Sequence, residues 1–326
     1  MRTISFSEAT LEAMREEMRR DPTVFVYGED IVRQGGIFGQ FKGLPDEFGN
    51  RVRDVPISET AIVGAALGAA LTGTRPVADM HFADFIGIAY DELANQIAKN
   101  RFMFGGQANI PLVIRAPDGI ANQAAAQHSQ SVEGWLQNIP GLIIVTPSSP
   151  ATAKGLLKSA IRQNDPVIYF EHKMLYPQKG PVPEEEFFTP LGKAEIIRPG
   201  KDVTIVTYSI MVQKCEEIAK QLETEGIDAE IIDLLTLKPF DRETVIASVK
   251  KTHRCVVAHE AVVTGGLGAE IAATVQDLAF YWLDAPVVRV GAKNVPIPFS
   301  PLMEKYVAPQ KEDVIRAIYR VLHREG

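Results

Sequence analysis

Cysteine is scarce. The 326-residue chain has only Cys215 and Cys255, with no CxxC spacing, and six histidines. A metal cluster built on thiolates is excluded, and two reduced, buried thiols of a cytosolic protein are expected. Long apolar runs are missing as well. The longest, Ala61 to Leu71, is broken by glycines and is too short to span a bilayer. The N-terminus, MRTISFSEATLEAM, has no apolar signal-peptide core. We therefore expect a soluble, cytoplasmic protein with no membrane partner. Basic charge is in deficit: 34 Lys plus Arg against 41 Asp plus Glu gives −7, which argues against nucleic acid as a partner. Several catalytic signatures are also absent, among them Walker A, HExxH and GxSxG. Gly265-Gly266-Leu267-Gly268 lacks the strand-bound GxGxxG form and reads as a tight turn into a helix.

What is present is ample apolar material. Hydrophobic residues make up 46% of the chain, and the length fits two domains of roughly 100–200 residues each. Ser5 and Glu8 form a capping-box pattern, Leu11, Met14 and Met18 follow at helical spacing, and Asp21-Pro22 ends the run. Thr23 to Tyr27 reads as a strand. The glycine-rich stretch 32–50 reads as a long irregular loop, of a length that suits an active site or interface. An alternation then sets in: helix 58–71, strand 76–80, long helix 85–104, strand 111–115, a polar loop to 131, strand 142–146, a helix begun by Ser149-Pro150, and strand 167–171. From 176 to 200, five prolines and the run Glu184-Glu185-Glu186 suggest an extended linker with a solvated acidic face. A second series has strands 203–207, 229–233, 255–259 and 287–290, with helices 211–225, 241–250, 266–279 and 311–323. Short strands between helices of this length indicate parallel sheets covered on both faces. The expected fold is α/β: two three-layer αβα domains with mainly parallel sheets, 1–175 and 201–326, joined by the linker 176–200.

Three places could carry chemistry. The sharpest is Pro56-Ile57-Ser58-Glu59-Thr60-Ala61, a carboxylate at the mouth of a helix rich in small residues, Gly64, Ala65, Ala66, Gly68, Ala69 and Ala70. Such a helix lets another backbone approach closely. Alternatively, Glu59 is only a first-turn acid that favours the helix dipole. The second is Gln127-His128-Ser129-Gln130, in the loop after the 111–115 strand. Loops at the carboxyl ends of parallel strands are where α/β folds place their sites. His128 could relay a proton near neutral pH, or be an exposed loop histidine. The third is His81, Phe82 and Phe85, which could cover a flat ring or belong to the core. These are site-like loops without a motif for gripping a diphosphate. That combination points to half of a site, completed by another chain.

From Glu59 outward the sequence resembles the beta subunit of the thiamine-diphosphate-dependent E1 component of 2-oxo acid dehydrogenase complexes. The resemblance rests on Tyr27-Gly28-Glu29-Asp30, the stretch 51–59 ending in PISE, Gly73-Thr74-Arg75-Pro76, RFMFGG at 101–106 and AQHSQ at 126–130. It continues through Pro140-Gly141-Leu142, AKGLLKSA at 153–160, Asp165-Pro166-Val167, Glu171-His172-Lys173 and Ala258-His259-Glu260-Ala261. Together these span almost the whole chain.

The resemblance implies a pyrimidine-binding domain followed by a transketolase C-terminal-like domain, in an α2β2 heterotetramer. The alpha subunit of such enzymes grips the diphosphate and Mg²⁺ through a GDG motif, which this chain lacks. A second beta subunit and the lipoyl-bearing E2 acyltransferase are the other implied partners. Glu59 matches the glutamate that bonds the aminopyrimidine ring nitrogen of thiamine diphosphate and so promotes loss of the thiazolium proton. Phe85 matches an aromatic packed on the pyrimidine, Ile57 lies in the adjacent binding turn, and His81 falls near the cofactor where relatives carry other residues. His128 matches a catalytic histidine near the substrate adduct or in acyl transfer to lipoyl. Leu112, Ala160, Ile161, Gln163 and Asp165 align with a loop that binds structural potassium in some relatives.

The implied reaction is oxidative decarboxylation of a 2-oxo acid with reductive acyl transfer to lipoyl. On the substrate the resemblance divides. RFMFGG, Glu171 to Lys173 and the tail Val295-Pro296-Ile297-Pro298-Phe299-Ser300-Pro301 are similar to acetoin dehydrogenase beta chains. The short Gln34-Gly35-Gly36-Ile37-Phe38 is more similar to pyruvate or branched-chain relatives. We place pyruvate first, acetoin as the alternative and branched-chain 2-oxo acids third. A non-catalytic scaffold subunit would be expected to have lost the activating acid, and Glu59 is present.

Overall fold

A computed structural model describes residues 1–323 of the protein. The chain forms two compact units. One comprises Met1–Asp118 and Trp135–Leu191, the other Gly119–Gly134 and the chain from Gly192 onward.

The first unit opens on a short strand, Arg2–Ser5, paired antiparallel with Lys179–Val182. The helix Phe6–Arg20 follows, closed by the capping box: Glu8 N donates to Ser5 Oγ at 3.1 Å and Ser5 N to the Glu8 carboxylate at 2.7 Å. It buries Phe6, Ala9, Ala13, Met14 and Met18 and packs on the helix Pro150–Arg162. The ammonium heads of Lys154 and Lys158 are buried there and donate to Glu16 at 2.6 and 2.7 Å.

Six parallel strands lie side by side in the order Ile143–Val145, Val167–His172, Val113–Asp118, Arg75–Asp79, Val24–Gly28, Val52–Asp54. Side chains alternate between the two faces of a strand. Tyr169 points one way and bonds Ala153 O of the 150–162 helix, whereas Tyr27 points the other way and bonds Ile62 O of the helix Glu59–Leu71. The sheet is therefore covered on both faces.

Two details differ from the sequence pattern. The long helix expected over 85–104 is broken into a 3₁₀ turn Ala83–Gly87, a π-helical stretch Glu92–Ile97 and an α-helix Ala98–Met103. All three place apolar residues three to five apart, so the periodicity alone does not separate them. The 176–200 segment is also not simply extended. It supplies Lys179–Val182 to one unit and Glu195–Arg198 to the other. Its acidic run is exposed, with Glu186 paired to Arg162 at 2.8 Å.

In the second unit the strand order is Val288–Ala292, Cys255–Val262, Val203–Thr207, Ala229–Asp233, Glu195–Arg198, all parallel except the last. Helices Met211–Glu223 and Lys311–Val321 bury Cys215, Ile218, Leu222, Val314 and Ile318 against Val203, Ile205, Ile231 and Val256. On the opposite face Thr204 bonds Ser248 and Thr252 of the helix Arg242–Thr252. Both cysteines are free and buried. Among the described residues, no helix is long and apolar enough to cross a membrane.

At the centre of the first sheet, Arg115 is fully buried. Its Nε and Nη2 donate to the two oxygens of Glu171 at 2.8 Å each, and its guanidinium lies 4.7 Å from the Phe41 ring centroid. Removing one partner of such a pair strands the other charge in the core. We expect Arg115→Met to cost about 3–5 kcal/mol, read as a lower urea midpoint. A change under about 1 kcal/mol would show that the pair is not desolvated as described.

Candidate functional site

Parallel strands place their sites where the chain direction of adjacent connections reverses, outside the carboxyl ends. In the first unit the chain leaves Val24–Gly28 for its neighbour Val52–Asp54 on one side. It leaves Arg75–Asp79 for Val113–Asp118 on the other. The reversal lies between Gly28 and Asp79. A Cβ on Gly28 would stand 2.7 Å from Asp79 Cβ, so only glycine permits the two strand ends to approach this closely.

The residues that follow these strand ends form the site. Val55 N donates to Gly28 O at 3.0 Å and Val32 N to Asp54 Oδ1 at 2.7 Å, which fixes the turn leading into Pro56-Ile57-Ser58. The helix Glu59–Leu71 starts directly after Ser58, whose side chain makes no cap bond, with Glu59 as its first residue and half-buried. A cleft of about 470 Å³ is lined by Glu29, Asp30, Arg33, Asp54 and Val55 to Ile57. Ile57 is 77% exposed. The outer face of the Glu59 helix, Thr60, Ala61, Ala65 and Gly68, is exposed and almost without bulk.

The electrostatics favour proton-holding groups. Burial, reinforced by the charges of Glu59 and Asp30, holds the Glu29 carboxyl above the ordinary carboxylate range. His81 Nδ1 lies 4.0 Å from Glu29 Oε2, and the His81 ring stands edge-on to Phe82 with centroids 5.3 Å apart. Phe82 in turn meets Phe85 at 6.5 Å and carries the Lys173 ammonium at 5.4 Å. Phe85 is half-buried. Below them Asp79 is fully buried beside Arg115 and Gln40. Desolvation pushes its carboxyl up to about 7 despite the Arg115 charge, with Glu171 and Glu29 adding to the rise.

Glu59, Ile57, His81 and Phe85 thus all belong to the first unit, on loops and a helix start that follow its strand ends. His128 belongs to the second unit, half-buried within the 119–134 segment. Leu112, Ala160, Ile161, Gln163 and Asp165 lie elsewhere in the first unit. Arg75 Nη1 donates to Ile161 O at 3.0 Å and Gln163 O at 2.9 Å, Leu112 O accepts from Val167 N, Ala160 O from Gln163 N, and the Asp165 carboxylate pairs with Arg101. These oxygens are met by guanidinium and amide donors. Among the described residues, no group of three or more His, Cys, Asp or Glu is arranged to hold a metal.

Glu29 and Asp79 were not singled out from the sequence. Their signal was available only in part: Glu29 directly follows an apolar strand, but its weight depends on which strand lies beside it.

Comparison with known proteins fits this geometry. Residues 2–179 match the transketolase pyrimidine-binding domain and residues 192–314 the transketolase C-terminal domain. The chain is 46% identical over 331 residues to the beta subunit of acetoin:2,6-dichlorophenolindophenol oxidoreductase of Cupriavidus necator, covering 98% of each chain. It is 44% identical to the Bacillus subtilis protein of the same description, again over 98% of each. It is 42% identical to the pyruvate dehydrogenase E1 component subunit beta of Gracilaria tenuistipitata, over 99% of this chain and 100% of that one. A solved structure described as a split-gene transketolase, inactive beta4 tetramer, superimposes with a TM-score of 0.81 at 27% identity, over 99% of both chains.

Asp79 has a consequence for pH. Its carboxyl titrates near 3.9 in the unfolded chain and near 7 in the folded one. Below that window both states are protonated and stability is undiminished. As pH rises through it, the unfolded chain releases a proton that the folded chain retains, so stability falls. Asp79→Asn should remove that slope. Its urea midpoint should gain on the parent's between pH 5 and pH 8, and a constant difference across that range would contradict the burial of an ionisable Asp79.

Proposed function

The chain belongs to the E1 beta-subunit family of 2-oxo acid and acetoin dehydrogenases, built on the transketolase fold, and we propose that it supplies the pyrimidine side of a thiamine diphosphate site whose substrate is acetoin. The observation that carries the site reading is the half-buried Glu59 at the mouth of a small-residue helix, opposite a strand end that carries the raised Glu29 carboxyl.

These residues fit the cofactor. The cleft beside Glu29 and Ile57 offers carboxyl groups that can bond ring nitrogens, and Phe82 and Phe85 offer aromatic faces. Thiamine diphosphate, when bound, supplies an electron sink for cleavage of a C–C bond next to a carbonyl. With the cofactor bound, Glu59 would be the residue that bonds the pyrimidine ring nitrogen. The helix start fixes its place. Glu29 and His81 are the adjoining proton-holding pair. Ile57, in the turn, and Phe85 would flank the ring. His128 acts on the substrate or acyl side.

The diphosphate and its Mg²⁺ fall to an alpha subunit, because this sequence has no GDG motif. Exposed apolar side chains support assembly. Phe102 is 88% exposed, and Met103, Phe104 and Ile88 are each more than half exposed. We infer an α2β2 heterotetramer with a second beta chain, which passes its acyl product to lipoyl on an E2 acyltransferase. We place it in the cytoplasm, in keeping with two free, buried cysteines.

The choice of acetoin reverses the order that residues 34–38 suggested. The two acetoin relatives stand at 46% and 44% identity and the pyruvate relative at 42%. RFMFGG and the 295–301 tail point the same way.

Co-expression with an alpha subunit tests this. The isolated chain should show no turnover. The complex should reduce an artificial electron acceptor with acetoin at a kcat/KM at least about tenfold above that with pyruvate or branched 2-oxo acids, a gap of ~1.4 kcal/mol in the barrier. Glu59→Gln should lower kcat by about 10²-fold or more with the complex intact. Turnover by the isolated chain would refute the divided site. Preference for pyruvate would refute acetoin alone.

A further inference from the structure

The second unit has a reversal point of its own. The chain leaves Val203–Thr207 for Ala229–Asp233 on one side and Cys255–Val262 for Val288–Ala292 on the other. The crevice between the first strands of these two pairs is bordered by Tyr208 and by His259-Glu260. Such a crevice ordinarily receives a ligand. Here the protein's own 119–134 segment occupies it. Ile120 N donates to Glu260 Oε1 at 2.6 Å, and Tyr208 Oη donates to Glu133 Oε1 at 2.5 Å. Glu260, Tyr208 and Glu133 are all buried.

The segment is tied elsewhere too. Gln123 N donates to Glu304 Oε2 at 2.9 Å, and Gly119 N to Gln130 O at 3.0 Å. Ile120 packs with Ala292, Ile297 and Val307. A Cβ on Gly134 would lie 2.9 Å from Gly265 O, so the segment's end is also held tightly. Between these ties the backbone is strained. Asn122, Gln123 and Ala125 have φ of 50°, 61° and 59°, in the left-handed region that L-residues disfavour. Strain of this kind persists only where the surroundings over-determine it, and it gathers at functional sites. His128 sits inside this tethered, strained segment.

We propose that Glu260, Tyr208 and Glu133 are positioning residues that hold the His128 segment in its working conformation, so that the C-terminal unit sets the geometry of the histidine. The proposal rests on the reading that His128 acts on the substrate or acyl side. The two carboxyl groups are close enough for the Glu260 charge to help raise Glu133 above the usual carboxylate range, after the larger effect of burial. Their donors therefore matter: a buried carboxylate that loses its donor cannot turn to water.

The test uses the complex with its alpha subunit. Tyr208→Phe removes the donor and keeps the ring. Glu260→Met removes the acceptor, and Glu260→Gln restores an acceptor oxygen. Tyr208→Phe and Glu260→Met should speed hydrogen exchange at the 120–130 amides, leave the other strands of the second unit protected, and lower kcat roughly tenfold with little change in cofactor KM. Glu260→Gln should recover most of the rate. In a His128→Gln background Tyr208→Phe should cost less than about twofold further, because the residues act through one group. Full additivity in a His128-sensitive enzyme, or unchanged exchange in the segment, would overturn the positioning role alone. A His128→Gln complex with undiminished kcat would overturn the reading of His128 and the proposal together.

Discussion

A guanidinium buried in a parallel sheet has to be paired, and the pairing of Arg115 organises the first unit. Its fork takes both oxygens of Glu171 on the next strand, and Phe41 from the irregular 32–50 loop lies over its face. Asp79 stands beside it on the other neighbouring strand, buried and with a carboxyl that resists ionisation. If all three ionised, the cluster would carry a net negative charge with no solvent to screen it. Beside Asp79 the absence of a side chain at Gly28 lets the two strand ends come together. Glu29, with His81 4.0 Å from it, and the turn from Asp54 to Ile57 stand at these strand ends, and Glu29 and that turn line one cleft.

The same topological rule operates separately in each unit, with different outcomes. In the first, the crevice at the reversal point stays open, lined by carboxyl groups and bordered by aromatic rings. In the second, the crevice is filled by the 119–134 segment, and buried carboxyl groups act as anchors. A strand order that elsewhere binds a ligand here binds a strained piece of its own chain.

Much of this was legible in the sequence where the cause is local. The Ser5 and Ser149 caps, the strands 203–207 and 229–233, and the small-residue helix after Glu59 all follow from short-range chemistry, and the structure has them in place. What escaped depends on distant partners. Glu29 and Asp79 matter because strands 24–28 and 75–79 are neighbours, which no local pattern encodes. Ile120 and its acceptor Glu260 are 140 residues apart, so nothing near His128 shows that its segment belongs with the second unit. Arg75 donates to Ile161 O, 86 residues further along the chain, a contact that no local pattern encodes. The broken 83–103 stretch was hidden because 3₁₀, π and α turns share nearly the same apolar spacing.

We propose that Glu59, from this chain, promotes loss of the thiazolium proton of a cofactor whose diphosphate a partner holds. It is tested most directly by following deuterium exchange at that thiazolium carbon by proton NMR in the alpha–beta complex. With the parent chain, exchange should be faster than for free thiamine diphosphate by several orders of magnitude. With Glu59→Gln, and cofactor still bound, it should fall back by at least about 10²-fold. Undiminished exchange in the Glu59→Gln complex would contradict the account.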